Sequence, residues 1–224
     1  MYSTVIVLTK DEQVAMDWFR KAAESGNAVA MVRLGSGYVE GKGVTKDETE
    51  GLRWLHNAAA TGYASAMTGL CMTYVGKDPT AAVRWCQEAA NRGDTYAMLL
   101  LGMGYNGGYV LAENKAEAAR WFRKAAEAGI AEAGIGEDLS RLGTLHSMNF
   151  LGGMYEEGKG VAQDDAEAVR WYRKAAEAGD RSAMHALRGM EGRGVSKDEA
   201  ERWSQQVVEA SAAEERRLQE RESD

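Results

Sequence analysis

The residues best equipped for chemistry are three histidines, His56, His146 and His185, two cysteines, Cys71 and Cys86, and two glycine-rich runs. His146 lies close in the chain to Asp138, Ser140 and Ser147, the residue types of a nucleophile, a base and an orienting carboxylate. Such a site is assembled by three-dimensional geometry, so closeness along the chain counts for little. The histidines lack the spacing of zinc ligands, and two cysteines are too few for a cysteine zinc site or a disulfide framework. "GMGYNG", 102–107, satisfies G-x-G-x-x-G, which cradles a dinucleotide only where it turns a strand into a helix. "GMYEEGK", 153–159, satisfies G-x-x-x-x-G-K, but Gly160 replaces the hydroxyl residue that binds magnesium, and Glu156 and Glu157 would repel phosphate. No catalytic, cofactor or metal site is expected, and the chain is read as a non-enzyme.

Composition bounds the elements that hold these residues. The chain has 224 residues, 45% hydrophobic and 27% charged, with one proline, which suits a folded domain or an elongated array rather than a disordered chain. A net charge of −7 argues against general affinity for nucleic acid or anionic lipid. No apolar run reaches the length of a membrane-spanning helix, so no membrane insertion is expected. The start, "MYSTVIVLTKDE", has no basic residues before its short apolar stretch and does not read as a signal peptide. A cytoplasmic location is favoured for the chain as given, and a periplasmic or secreted one if an upstream signal was removed.

The six tryptophans, Trp18, Trp54, Trp85, Trp121, Trp171 and Trp203, expose an internal repeat, with separations of 36, 31, 36, 50 and 32 residues. Eight residues after each of the first five stands a glycine: Gly26, Gly62, Gly93, Gly129 and Gly179. Position +13 is Met31, Met67, Met98 and Met184, and +16 is Leu34, Leu70, Leu101 and Leu187. In the fourth unit, Met148, Leu151 and Tyr155 fall on +13, +16 and +20 once the 14 residues 130–143 are removed, beside Tyr38, Tyr74 and Tyr105 elsewhere. That unit therefore carries an insertion, "IAEAGIGEDLSRLG".

Each unit reads as two helices. Ala168, Trp171, Tyr172, Ala175, Ala176 and Ala178 form one amphipathic stripe. Asp11, Asp47, Asp78, Asn114, Asp164 and Ser196 stand seven residues before the tryptophans as expected N-caps, with Pro79 at a first helical position. The +8 glycines are expected left-handed helix stops. Asn27, Asp94, Thr144 and Asp180 are expected caps of the second helices, and "GKGV" (41–44, 158–161) and "GRGV" (192–195) are the return loops. Two helices cannot bury both apolar faces alone, so the units must stack. The expected fold is all-α, an α/α superhelix (solenoid) of about five antiparallel helix pairs plus a C-terminal capping helix. Residues 1–7 form a tail, 8–203 the repeats (units near 11–46, 47–77, 78–113, 114–163 and 164–195), and 196–224 the cap.

"AEAVRWYRKAAEAGDRSAM" with "LGGMYEEGKGVAQD" resembles the Sel-1-like repeat, a relative of the tetratricopeptide repeat, over residues 8 to about 203. The resemblance implies a right-handed superhelix of antiparallel helix pairs with a concave groove, and a non-catalytic role as scaffold or adaptor, in bacteria often tied to signalling, envelope processes or host interaction. Secreted members of the family can carry a cysteine pair in every repeat, which this chain does not. Here Cys71 and Cys86 replace the expected Gly at +17 and Tyr at +1. They lie on adjacent helices and could approach each other, but buried free thiols are the favoured reading. "TKDE" at 9–12 matches "TKDE" at 45–48 in repeat phase, so the chain begins where a preceding loop would end, as a natural start or after something cut away.

The tryptophans, with Met31, Met67, Met98, Met148 and Met184, are expected to form the core. Arg20-Lys21, Arg123-Lys124 and Arg173-Lys174, with Glu24, Glu127 and Glu177, are expected to be a solvated face, Arg123 pairing with Glu127 at i, i+4. The candidate partner-binding residues are Glu137, Asp138, Leu139, Arg141 and Leu142 of the insertion, since solenoid insertions often map to a binding face. A tolerated loop extension is the simpler alternative and is favoured. The expected partner is a peptide or protein held in the concave groove, by a chain favoured to be monomeric. A secretion-system immunity or effector protein blocking a single partner is the first alternative, and a subunit accessory to an enzyme the second.

Overall fold

The computed structural model describes residues 10–107, 111–131 and 138–223. Eleven helices account for most of them: α1 (Lys10–Glu24), α2 (Ala28–Glu40), α3 (Glu48–Ala60), α4 (Ala64–Tyr74), α5 (Pro79–Asn91), α6 (Thr95–Gly107), α7 (Lys115–Ala131), α8 (Asp138–Glu157), α9 (Asp165–Glu177), α10 (Arg181–Gly189) and α11 (Lys197–Ser223). Among the described residues there is no β-strand, and the one isolated bridge, Glu191 to Val195, closes the return loop before α11. The fold is an all-α solenoid of successive helix pairs. Its packing divides into two compact units, Met1–Leu101 and Gly102–Asp224, the division falling inside α6 rather than between repeats.

The helix boundaries follow from the capping residues. Asp47, Asp78 and Asp164 each accept a backbone N–H of the first turn that follows, as do Asn27 and Asp180 at the second helices. Asp94, Asn114 and Ser196 do the same through Ala97, Glu117 and Glu199. Asp11 differs, lying inside the first turn of α1. Gly26, Gly62, Gly93 and Gly179 adopt φ between 87° and 98°, the left-handed stop that a side chain disfavours. At three of these turns the residue after the glycine returns its N–H to a carbonyl five residues back, Asn27 to Ala22, Asp94 to Ala89 and Asp180 to Ala175.

The fourth repeat departs from this scheme. α7 runs through Gly129 to Ala131, and α8 begins at Asp138, six residues before Thr144. Gly129 is therefore not a left-handed stop, and Thr144 is not a cap: its Oγ1 donates to the Ser140 carbonyl within α8. Gly129 has a different purpose, because a Cβ there would collide with the Thr144 side chain. The glycine lets α7 and α8 approach closely where the other repeats use it to turn.

Stacking rests on a socket repeated along the chain. At +17 the second helix of the first, third and fourth repeats carries glycine, and the +1 side chain of the next repeat fills the space; the fifth repeat has Arg188 there. Cβ atoms added to Gly35, Gly102 and Gly152 would lie 3.0 Å from Leu55, 2.5 Å from Phe122 and 2.6 Å from Tyr172. Those three +1 residues are buried. The +1 position, immediately after the tryptophan, is thus a buried contact point of the first helix in these repeats. Between α4 and α5 the same two positions hold Cys71 and Cys86, joined as a disulfide with a Cα–Cα separation of 5.2 Å. This corrects the expectation of free thiols: the two substitutions are the two halves of one contact.

The tryptophans do not form a uniform core. Trp54, Trp171 and Trp203 are buried, as are Met67, Met98, Met148 and Met184, whereas Trp85, Trp121 and Met31 are half-buried. Trp18 is 66% exposed, which corrects its assignment to the core. Trp54 shows why: it packs into a cluster of Met16, Ala23, Ala30 and Leu34 supplied by the repeat before it, and among the described residues no helix pair precedes α1.

Candidate interaction surface

The charged face expected from the recurring Arg-Lys pairs is built into the fold. At +2, the Arg20 guanidinium donates to the Tyr38 hydroxyl at 2.8 Å and Arg123 to that of Tyr155, while His56 Nε2 lies 3.4 Å from the Tyr74 hydroxyl. Each contact ties the first helix of a repeat to the end of its second, so Arg123 turns toward Tyr155 rather than serving mainly as the partner of Glu127. In the fifth repeat, which lacks the tyrosine, Arg173 makes a bidentate pair with Glu199 at 2.7 Å and also donates to the Gly194 carbonyl. Lys21, Lys124 and Lys174 lie 4.5 to 4.8 Å over the rings of Trp18, Trp121 and Trp171. Glu24, Glu127 and Glu177 are exposed.

Ion pairs strengthen the last repeats. Arg193 bridges Asp165 and Glu156, and Glu156 accepts from the Tyr172 hydroxyl at 3.0 Å. The hydrogen bond from Arg193 holds the Asp165 carboxyl below the usual carboxylate range, and Arg173 does the same for Glu199. Burial, with the Glu156 charge second, pushes the Tyr172 hydroxyl well up, so it stays protonated as a donor. These contacts are structural.

The chemically suggestive motifs come apart in three dimensions. Ser147 is fully buried while His146, its neighbour on α8, is exposed, so the two face different sides of the helix. His56 stacks edge-on against Trp85 at 5.5 Å, and His185 is exposed on α10. "GMGYNG" lies within α6, where Gly102 is the socket for Phe122. "GMYEEGK" spans the end of α8 and its return loop. Among the described residues no group of three metal-ligating side chains converges.

The insertion does the most to the surface. Its last residues lengthen α8 to 20 residues. Leu139 is 46% and Leu142 36% exposed, and the same side of α8 continues through exposed His146 to Phe150, 38% exposed. Spacings of three, four and four residues put these side chains in one ridge. Phe150 is braced from beneath by Phe122, stacked at 5.0 Å. Of the other insertion residues, Glu137 lies outside the described residues and Asp138 opens α8. Arg141 is engaged within the chain, donating to the Ala178 carbonyl at 3.0 Å at the end of α9. A cation there satisfies an unpaired carbonyl and faces the negative end of the helix dipole. Arg141 thus anchors the ridge. The insertion residues alone did not point to Phe150 or His146; the signal was the three-and-four spacing running on from Leu139 into the repeat proper.

Comparison with known proteins accords with this architecture. The Sel1 repeat profile matches residues 6–27, 28–63, 64–94, 95–130 and 145–180. A Sel1 repeat protein from Oxalobacter formigenes is 29% identical, with a TM-score of 0.73 over 90% of this chain and 80% of that one. Pseudomonas aeruginosa 5086 shares the fold at 20% identity, TM-score 0.57, over 87% of this chain and 71% of that one. The uropathogenic Escherichia coli protective antigen c5321 is 31% identical over 87% of this chain, which spans 48% of that protein, with a TM-score of 0.46. A comparison with curated proteins returned no match. Five profile matches, covering most of the chain, establish that it belongs to the Sel1 repeat family, whose repeats are generally protein-interaction modules.

Proposed function

We propose that the protein is a non-catalytic adaptor that binds a peptide or protein segment on the exposed ridge of α8. The observation that carries this reading is the Leu139–Leu142–Phe150 ridge, an apolar stripe presented to solvent on a helix end that Arg141 pins to α9. Exposed apolar side chains grouped on one face mark interaction sites, and here only His146 stands between Leu142 and Phe150. The complementary partner is an amphipathic helical segment whose apolar residues recur at three-and-four spacing and pack beside the ridge, helix against helix.

The test is crosslinking in extract of the native host with the intact chain and with a Leu139→Asp, Leu142→Asp variant of equal helicity. A partner captured by the intact chain and lost with the variant supports the ridge. Identical capture by both refutes it and moves attention to the groove. The Cys71–Cys86 bond further supports an oxidising working compartment, periplasmic or extracellular. Thiol alkylation of the protein taken directly from its host checks this, since two alkylated cysteines would refute it.

A further inference from the structure

We propose that two copies of this chain associate through the outer face of α1, antiparallel, so that Trp18 of each copy covers Val14 of the other. The first helix of a stacked repeat array stays soluble when its outer face is polar. Among the described residues α1 is the first helix, and its outer face is not polar: Trp18 is 66% and Val14 48% exposed, on the side where Trp54 of the next repeat finds a preceding helix pair. The face is not uniformly apolar either. Asp11 and Lys21, both exposed, flank the pair, and positions 11, 14, 18 and 21 follow the three-four-three spacing of a helix–helix seam.

That stripe is complementary to itself. Inverted about the level of Met16, Asp11 maps onto Lys21 and Val14 onto Trp18. Two α1 helices packed antiparallel therefore pair each Asp11 with the partner's Lys21 and each Val14 with the partner's Trp18. A twofold dimer requires this property, because one patch must recognise its own copy. Lys21 already sits over the Trp18 ring at 4.8 Å, holding its ammonium at the rim of the apolar patch. α1 has 15 residues and is about 22 Å long, so the contact falls below the roughly 800 Å² per partner of a tight complex.

The experiment is sedimentation equilibrium of the full chain from about 1 to 200 μM, with far-ultraviolet circular dichroism confirming equal helicity. The wild type is expected to dimerise, and Trp18→Glu to weaken association at least tenfold. Asp11→Lys alone and Lys21→Asp alone each set like charges opposite one another and weaken it. The double variant restores opposite charges and recovers association to within a few-fold. That recovery separates the proposal from fraying of α1, since the double variant carries both unfavourable helix-end charges. A monomeric wild type at 200 μM overturns the proposal, as does a dimer indifferent to Trp18→Glu or a double variant no better than the singles. A wild type that dimerises only after removal of residues 2–9 overturns it too, because the chain's own start would then cover the face.

Discussion

Cys71 and Cys86 are bonded across the α4–α5 interface at the two repeat positions that Gly102 and Phe122 fill between α6 and α7. One interface is closed by a covalent bond, the other by an aromatic ring seated over a glycine. Both tie the second helix of one repeat to the first helix of the next.

Loss of the disulfide will therefore be felt locally. A bond linking residues 15 apart contributes about 3 kcal/mol on the chain-entropy account, so Cys71→Ala, Cys86→Ala should lower the thermal midpoint clearly. The pair Cys71→Gly, Cys86→Phe rebuilds the neighbouring socket and should be more stable than the alanine pair by about 1–2 kcal/mol, the gain from burying the ring less the glycine cost in a helix. Thermal unfolding of the three proteins decides it, and an alanine pair as stable as the rebuilt socket would count against the equivalence.

The socket glycines should resist even one added carbon. Gly102→Ala places a Cβ 2.5 Å from the Phe122 ring, and Gly152→Ala one 2.6 Å from Tyr172. Overpacking of this kind costs about 1–3 kcal/mol. Gly104→Ala is the control: it meets nothing closer than 3.5 Å, so the helix-propensity gain should leave it neutral or slightly stabilising. Denaturant midpoints for the three variants give the comparison.

Tryptophans at one repeat position should differ in importance. Trp171→Ala removes a buried ring and should cost about 3–5 kcal/mol, whereas Trp18→Ala should cost under about 1 kcal/mol at protein concentrations low enough to keep the chain monomeric. Chemical denaturation of both at low concentration checks the contrast.

Acid should act through Glu199. Its folded pKa is depressed by Arg173, so its contribution is present above the unfolded value of about 4.3 and is lost as pH falls through the lower folded value. Glu199→Gln should cost about 1 kcal/mol at pH 7, modest because Arg173 is partly exposed. The gap to wild type should narrow as pH falls below the unfolded value of about 4.3 and close only below the lower folded value. A gap constant from pH 7 to pH 3 would show that the charge on Glu199 is immaterial.

Much of the architecture was open to reading in the chain itself because repetition multiplies each local signal. Asp47, Asp78 and Asp164 cap helices for reasons contained within four residues, and Gly26, Gly62, Gly93 and Gly179 stop them through backbone sterics alone. Repeat logic failed where a position's environment depends on its neighbour in space. Trp18 obeys the same spacing as Trp54 yet lies exposed, since burial of the ring is supplied by a preceding helix pair. Gly129 occupies the place of a stop, but the insertion lets α7 continue, and packing against Thr144 explains the glycine instead.

The sequence by itself determined the helices, their order, their repeat and the family, because capping, turning and amphipathic periodicity are short-range properties of the chain. The tertiary structure alone decided that Cys71 meets Cys86, that Arg123 serves Tyr155, and that Leu139 and Leu142 join Phe150 in one ridge. The first two pairings lie across helices, where proximity is set by how faces of separate elements stack; the ridge follows spacing along α8, but its exposure depends on what the neighbouring helices leave uncovered.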